Sequence, residues 1–275
     1  IIRRFPRTRT EVPNPRRHSV AALPAPPAPA RDDGWALFLD IDGTLLDLAA
    51  RPDAVRVAAP LRDDLARLRE RLHGALALLS GRTLQQIDAL FDWRDGAAAG
   101  LHGAQWRGPG GATHDEVQPA SLTALRDEAH AQASKLPGVV LEDKHHALAL
   151  HYRNAPAQRS AVERLARDLL QRAGSGFALQ RGDHVLELKP AGCDKGRALA
   201  ALMREPPFAG RRPWMLGDDL TDEHAFAETT ARGGVGVIVG ERRPTCARFA
   251  LADPAAVRAW LHELALRSAA AETPR

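Results

Sequence analysis

Three short apolar runs, far apart along this 275-residue chain, each lead directly into a polar residue. They are residues 35–39 before Asp40, residues 75–79 before Ser80, and residues 214–217 before Asp218. Amphipathic stretches separate the runs, as in residues 61–72, where leucines recur every three or four positions. Strands and helices that alternate in this way predict a parallel sheet. Because ligands bind beyond the carboxyl ends of parallel strands, we expect the three polar residues to lie at one site.

Residues 105–188 interrupt this pattern with a different order of predicted helices and strands. They contain two units in which a helix precedes two alternating strands, with helices over 121–133 and 157–172 and strands over 139–144, 147–153, 177–181 and 184–189. Two helices that back four strands form a small layer of their own. The predicted fold is therefore an α/β protein with a Rossmann-like parallel core over 32–104 and 189–268 and an inserted α/β cap over 105–188.

The charge of the chain is concentrated at its start. The net charge is +4, but residues 1–31 hold seven arginines and one glutamate, so the remainder is slightly acidic. A nearly neutral body argues against a nucleic-acid partner. Few large apolar residues and many prolines predict that residues 1–31 are a disordered tail, with a basic binding arm or a targeting leader as alternatives, and residues 269–275 are expected to be flexible.

Composition also limits the environment of the protein. Two cysteines without a CxxC motif favour a reducing cytoplasm over a disulfide scaffold or a zinc site. No apolar run reaches the length of about 18 residues that a membrane-spanning helix needs, so no membrane partner is expected. A small-molecule substrate and a monomeric state are the expectations that remain.

Two acidic motifs follow two of the predicted strands. The first is Asp40-Ile41-Asp42-Gly43-Thr44, and the second is Gly217-Asp218-Asp219-Leu220-Thr221-Asp222-Glu223. Carboxylates at a strand end can hold a divalent cation and leave an oxygen free for attack on phosphorus. Acids crowded in the second motif need a cation or a basic group to offset their repulsion. An acidic turn, a calcium loop or an exposed helix start are the alternatives for the motifs taken singly; together they favour a Mg²⁺ site.

Two further segments suit an anion. Ser80 closes a strand beside Gly81 and Arg82, so its hydroxyl and nearby N–H groups could bind phosphate oxygens, although a simple helix cap is an alternative. Lys195 follows the predicted N-cap Asp194, where its charge opposes the helix dipole. A cation in that position suggests a nearby anion.

Charged residues of both signs alternate on the predicted cap strands. Glu142 and Lys144 face the same way, and Arg153 and Glu187 lie on or at the end of neighbouring strands. Such a face can hydrogen-bond sugar hydroxyls, or it can form a surface salt-bridge ladder.

These motifs resemble the trehalose-6-phosphate phosphatase family of the haloacid dehalogenase superfamily between about residues 34 and 262. The matching segments are DIDGTL, LLSGRT, GLHGAQ, LEDKHHALALHYR, HVLELKP, DKGRALAAL and LGDDLTDE. Gln105 stands where the family usually carries Glu.

The resemblance implies a role for each matching residue. It makes Asp40 the nucleophile and Asp42 the general acid and base. It assigns Mg²⁺ to Asp40, the backbone carbonyl of Asp42 and Asp218, with Asp219 or Asp222 reaching the ion through water. The phosphoryl group would be held by Thr44, Ser80 and Lys195, and the sugar by Glu142, Lys144, Arg153 and Glu187. Arg82 and His102 are further expected substrate contacts.

The implied reaction is Mg²⁺-dependent hydrolysis of trehalose 6-phosphate to trehalose and phosphate through an aspartyl phosphate, the last step of trehalose synthesis. The alternatives are a phosphatase that acts on another sugar phosphate, such as sucrose phosphate, and a sugar-phosphate sensor without turnover.

Overall fold

A computed structural model describes residues 23–29, 34–48, 56–115, 120–144, 147–182 and 184–269. Its larger sheet has eight strands in the order β12-β11-β10-β1-β2-β3-β4-β5. The bounds are β1 (Trp35–Asp40), β2 (Leu76–Leu79), β3 (Ala97–Gly100), β4 (Gln105–Arg107), β5 (Thr113–Asp115), β10 (Arg212–Gly217), β11 (Val235–Val239) and β12 (Phe249–Leu251). The six strands from β12 to β3 run parallel, and β4 and β5 continue the sheet antiparallel. Strands β1 and β2 are buried along their whole length, as expected for a parallel sheet covered on both faces.

Five helices accompany this sheet. They are α1 (Ala59–Arg71), α2 (Leu84–Phe91), α5 (Lys195–Leu202), α6 (Glu223–Ala231) and α7 (Pro254–Ala269). Phe38 of β1, Phe226 of α6 and Phe208 between α5 and β10 are among the largest side chains in its core, and all three are fully buried. The apolar leucines at three- and four-residue spacing in α1 face the same core.

The smaller sheet has four antiparallel strands in the order β6-β7-β9-β8. The bounds are β6 (Val140–Asp143), β7 (Leu148–His151), β8 (Phe177–Gly182) and β9 (Val185–Pro190), with the helices α3 (Ala120–Ala133) and α4 (Arg159–Ala173). Leu148, Leu150 and Leu186 of the strands pack with Val162 and Leu169 of α4 in a second core. The predicted α/β class, with a mostly parallel sheet and a separate inserted layer, is confirmed.

The inserted layer starts later in the chain than residue 105. Strands β4 and β5 lie in the large sheet, and Arg107 fixes them there. Its guanidinium is buried, donates to the Asp88 carboxylate at 2.9 and 2.7 Å, and reaches the backbone carbonyls of Gly96 and Trp93. Three-residue strands carry too little alternation to be recognised in a sequence, so the boundary prediction missed them.

Part of the proline-rich segment is ordered against the core, which corrects the prediction of disorder for residues 23–29. The carbonyl of Pro24 accepts the N–H of Ala250 in β12 at 2.9 Å, and Leu23 packs on the large core. Proline keeps its carbonyl acceptor, so it can cover a sheet edge. The remainder of the predicted tail, residues 1–22 and 30–31, lies outside the described residues, as do residues 270–275 of the C-terminus. Within the described ranges, no helix has the length and apolar character needed to cross a membrane.

Candidate active site

Three carboxylates meet at the carboxyl edge of the large sheet. Asp40 ends β1, and Asp218 follows β10, the strand that pairs with β1. Oxygens of Asp40, Asp218 and Asp222 lie within 4.8 Å of one another. Gly43, with φ of +89°, allows this approach, because a Cβ atom there would lie 2.2 Å from an Asp218 oxygen. The strand order thus brings together acids that are far apart in the sequence.

Lys195 places one positive charge inside this acidic cluster. As the first residue of α5, it extends its Nζ to 2.6 Å from Asp40 Oδ1 and 2.7 Å from Asp222 Oδ1. The hydroxyl of Thr44 lies 2.9 Å from Asp40 Oδ2 and 3.1 Å from Asp218 Oδ1. Both oxygens of Asp40 are therefore held in place.

The charges in the cluster do not balance. Burial raises the pKa of Asp40 well above its ordinary value, and the charges of Asp222 and Asp218 raise it further while Lys195 opposes them. Burial and the charge of Asp222 raise the pKa of Asp218 to about 6. Burial alone would lower the pKa of Lys195, but the charges of Asp222 and Asp40 raise it above its ordinary value. One ammonium group beside two buried carboxylates and one half-buried carboxylate leaves an excess of negative charge on hard oxygen donors, which fits a cation such as Mg²⁺.

Two of the five predicted metal ligands turn their side chains away from the cluster. Oδ1 of Asp219 accepts the N–H of Leu220 at 2.5 Å and caps a short helical turn over Leu220–Asp222. Asp42 directs its carboxylate to Arg82. The carboxylates that converge are those of Asp40, Asp218 and Asp222, while the ligand predicted from Asp42 is its backbone carbonyl, which does not depend on the direction of its side chain.

Arg82 grips Asp42 with two parallel hydrogen bonds. Its Nε lies 2.7 Å from Asp42 Oδ2, and its Nη2 lies 2.6 Å from Asp42 Oδ1. The Arg82 N–H donates to the Ser80 hydroxyl oxygen at 3.1 Å. A bidentate pair of this kind fixes the direction of a carboxylate as well as its charge. Arg82, predicted as a substrate contact, thus orients the neighbouring acid in this structure.

The buried carboxylate of Glu187 joins the two layers. Glu187 Oε2 lies 3.1 Å from Nζ of Lys144 and 3.3 Å from Nε2 of His102, and Lys144 also donates to the carbonyl of Gly81 at 3.0 Å. Burial would raise the pKa of Glu187, but the charges of Lys144 and His102 bring it well below its ordinary value. The other oxygen of Glu187 and Nδ1 of His102 are buried and have no hydrogen-bond partner among the residues that the structure describes, which marks two groups that a ligand could satisfy.

Glu142 has partners that the sequence motifs did not reveal. Its Oε2 lies 2.9 Å from Nε2 of His151, and its Oε1 accepts from the side-chain amide of Gln86 at 3.3 Å. Gln86 belongs to the large-sheet layer, where its side-chain oxygen also accepts the N–H of Thr83. The strand alternation of β7 could have identified His151, but no local signal in the sequence pairs Gln86 with the cap.

A cavity of about 1010 Å³ lies between the two layers. It is bordered by every predicted site residue except Thr44 and Asp222, which are buried behind Asp40 and Lys195. Arg153 lines it on the cap side, and Arg242, which was not predicted, lines it beside Asp219. The cavity joins an acidic end to a face with charges of both signs, as anticipated for a phosphorylated polar ligand.

The sheet and the inserted layer have the fold of a haloacid dehalogenase-like hydrolase from Bacteroides thetaiotaomicron, which aligns with 85% of this chain and 99% of its own at a TM-score of 0.62 and 17% identity. Residues 38–255 match the trehalose-phosphatase family model, and the chain belongs to that family.

Curated relatives agree with this assignment. A probable trehalose-phosphate phosphatase of Sinorhizobium fredii is 46% identical over 77% of this chain and 80% of its own length. Trehalose-6-phosphate phosphatase of Escherichia coli is 41% identical over 82% of this chain and 85% of its own. The C-terminal domain of the Candida albicans trehalose-6-phosphate phosphatase has the same fold, with a TM-score of 0.77, 23% identity and coverage of 89% and 99%. The protein is accordingly a phosphatase.

Proposed function

We propose that this phosphatase hydrolyses trehalose 6-phosphate to trehalose and inorganic phosphate with the aid of Mg²⁺. The observation that carries the proposal is the position of Asp40, held between Lys195 and Thr44 at the acidic end of a cavity whose other wall is the charged face of the cap. The names of the curated relatives support the substrate. A cytoplasmic location and a monomeric state stay predictions.

Asp40 is the proposed nucleophile. One of its oxygens forms a bond to phosphorus while the bond from phosphorus to the sugar oxygen breaks, which leaves an aspartyl phosphate. Asp42 donates a proton to the departing sugar oxygen and then takes one from the water that attacks the phosphorus and releases Asp40. Lys195 and Thr44 hold Asp40, and Ser80 and Lys195 offset the charge that develops on the phosphoryl oxygens.

Asp40, Asp218 and the backbone carbonyl of Asp42 are the proposed ligands of Mg²⁺. When bound, the ion supplies neutralisation of the negative charge shared by the acids and the phosphoryl group. Asp222 has little capacity left as a direct ligand, because Oδ1 accepts from Lys195 and Oδ2 accepts the N–H groups of Asp218 and Asp219 at 3.0 Å each. We therefore propose that Asp222 shapes the ligand loop, and that Asp222 or Asp219 reaches the ion through water.

The cap supplies the proposed sugar contacts. Glu142, Lys144, Arg153 and Glu187 line the cavity and offer donors and acceptors for hydroxyl groups. His102 reaches the same space from the large-sheet layer. Arg82 is the remaining proposed contact, since a guanidinium has five N–H donors and the pair with Asp42 uses two of them.

The test is release of inorganic phosphate from purified protein given trehalose 6-phosphate, with Mg²⁺ and with a chelator. We expect turnover that requires the ion and that exceeds turnover of sucrose 6-phosphate and glucose 6-phosphate. Asp40→Asn should abolish turnover, and Asp63→Asn, the same chemical change at an exposed position of α1, should leave it intact. Binding without turnover would make the protein a sensor, and a preference for another sugar phosphate would overturn the substrate assignment.

A further inference from the structure

Arg242 contacts the loop that presents Asp218. It lies after β11, lines the cavity, and directs its guanidinium to the backbone of the acidic motif. Its Nε donates to the carbonyl of Asp218 at 3.1 Å, and its Nη2 donates to the carbonyl of Asp219 at 3.2 Å. The side chain therefore reaches two successive peptide units with two different nitrogens.

Glu223 holds this guanidinium in place. The last acid of the second motif forms an ion pair with Nη2 of Arg242 through Oε1, and its Oε2 accepts the N–H of Cys246 at 2.7 Å. One carboxylate at the start of α6 thus fixes both the arginine and the loop that carries it. The basic group that offsets this end of the acidic motif is Arg242.

Side chains bind both the N–H groups and the carbonyls of Asp218 and Asp219. Asp222 Oδ2 accepts the N–H groups of Asp218 and Asp219 at 3.0 Å each, and Arg242 donates to their two carbonyls. Donors and acceptors of the same backbone segment are satisfied by side chains from outside it. Such a segment can turn only if bonds on both sides break together, so the carboxylate of Asp218 is held toward Asp40.

We infer that Arg242 is a positioning residue that holds Asp218 in the geometry needed to bind a divalent cation. The inference rests on the proposed function of the acidic cluster as a Mg²⁺ site. Arg242 acts through the backbone, because its hydrogen bonds go to carbonyl oxygens and to Glu223 and none of them goes to the carboxylate of Asp218. Residues that orient metal ligands in this way typically contribute about ten-fold or more to metal affinity.

The test uses Mn²⁺ as a spectroscopic substitute for Mg²⁺ and needs no substrate. Electron paramagnetic resonance titration of the full chain measures free Mn²⁺ and gives a dissociation constant. We expect Arg242→Gln to weaken Mn²⁺ binding by about ten-fold. Arg243→Gln is the matched control, since Arg243 is exposed and its side chain donates only to its neighbour's carbonyl among the hydrogen bonds described. Mn²⁺ binding equal in the two variants would overturn the inference.

A second variant tests whether Arg242 acts through the shape of its guanidinium or through its positive charge alone. Arg242→Lys keeps the positive charge, but a single ammonium lacks the fork that spans two carbonyls, so we expect reduced affinity in a protein that melts at the wild-type temperature. Full affinity in Arg242→Lys would show that charge alone matters and would refute positioning. In turnover assays, excess Mg²⁺ should restore most of the rate of Arg242→Gln.

The outcome also distinguishes this inference from the proposed function. A raised KM for sugar phosphate with unchanged Mn²⁺ binding would make Arg242 a substrate contact and overturn the inference. If the wild-type protein fails to turn over trehalose 6-phosphate, the proposed function falls, yet the difference in Mn²⁺ affinity between Arg242→Gln and Arg243→Gln still supports the positioning role.

Discussion

The ionised carboxylate of Asp218 lowers the stability of the metal-free protein, although a cation site needs its charge. Asp218 is held near two other acids and has its pKa raised to about 6 from an ordinary value of 3.8. A raised pKa means that the folded protein binds the proton more tightly than the unfolded chain does. Ionisation of Asp218 therefore costs stability as the pH rises from about 4 to above 6, and the cost is fully present at neutral pH. A bound cation would remove it.

Asp218→Asn should consequently stabilise the metal-free protein. The asparagine keeps an oxygen that can accept from Thr44 but carries no charge, so we expect a gain on the order of 2 kcal/mol at pH 8 and little gain at pH 4. Urea unfolding with a chelator at the two pH values measures the difference. Mg²⁺ should raise the stability of the wild-type protein and leave Asp218→Asn unchanged. A variant that is less stable than wild type at pH 8 would contradict the charge argument.

Sequence reasoning reached those residues whose chemistry is visible in a local motif. Asp40 and Asp218 stand at strand ends in acidic runs, and Lys195 follows a helix cap, so motif and topology together predicted that they converge. The partners of these residues were harder to predict. Arg242 and Gln86 act through contacts between segments distant in sequence, and an arginine in a loop or a glutamine in a helix has no distinctive local pattern.

At the scale of elements, α5 fits closely against α6 at the site. It presents Lys195 from its first turn, and Gly196 lets that turn approach α6, since a Cβ atom at Gly196 would lie 2.5 Å from the carbonyl oxygen of His224. Backbone atoms cannot yield as a flexible side chain can. Apolar runs predicted β1, β2 and β10, whereas this approach and the short strands β3, β4, β5 and β12 depend on three-dimensional fit.

Gly196→Ala should lower kcat more than Leu202→Ala does, although it costs no more stability. The added methyl group forces α5 away from α6, costs about 1–3 kcal/mol, and moves Lys195 from its carboxylate partners, so we expect kcat to fall about ten-fold or more. Leu202→Ala is the control, because it removes a buried side chain from the far end of α5 at a cost of about 2–5 kcal/mol without touching the site. Thermal melts measure the stability of the two variants, and kcat is measured below both melting temperatures. A larger loss of kcat in Leu202→Ala would contradict the claim that the close approach of α5 to α6 positions Lys195.

At the scale of the whole molecule, the two layers carry different parts of the cavity wall. The large-sheet layer carries Asp40, Asp218 and Lys195, which line the acidic end of the cavity, while the cap strands carry the charges that line the rest of it. Contacts across the boundary, from Lys144 to the Gly81 carbonyl and from Gln86 to Glu142, hold the cap over the site. This division implies that catalysis and substrate selection can be impaired separately.

Glu142→Ala should impair substrate selection and leave the chemical step intact. Glu142 is part-buried in the cavity wall, and His151 and Lys144 help to keep its pKa below the ordinary value despite burial, so it offers a charged acceptor to sugar hydroxyls. Loss of such a hydrogen bond costs about 1.5–3 kcal/mol, which corresponds to a fall of about 10- to 150-fold in kcat/KM for trehalose 6-phosphate. Hydrolysis of a small aryl phosphate, which does not reach the cap, should change little.

The matched control for this variant is Glu163→Ala in α4. Glu163 belongs to the same layer and pairs with Arg159 and Arg181, but it does not line the cavity, so both substrates should be hydrolysed at the wild-type rate. An equal loss on both substrates in Glu142→Ala would mean that the cap acts on the chemistry itself. A selective loss on the sugar phosphate alone would mean that the small sheet recognises the sugar while the large sheet cleaves the phosphate ester.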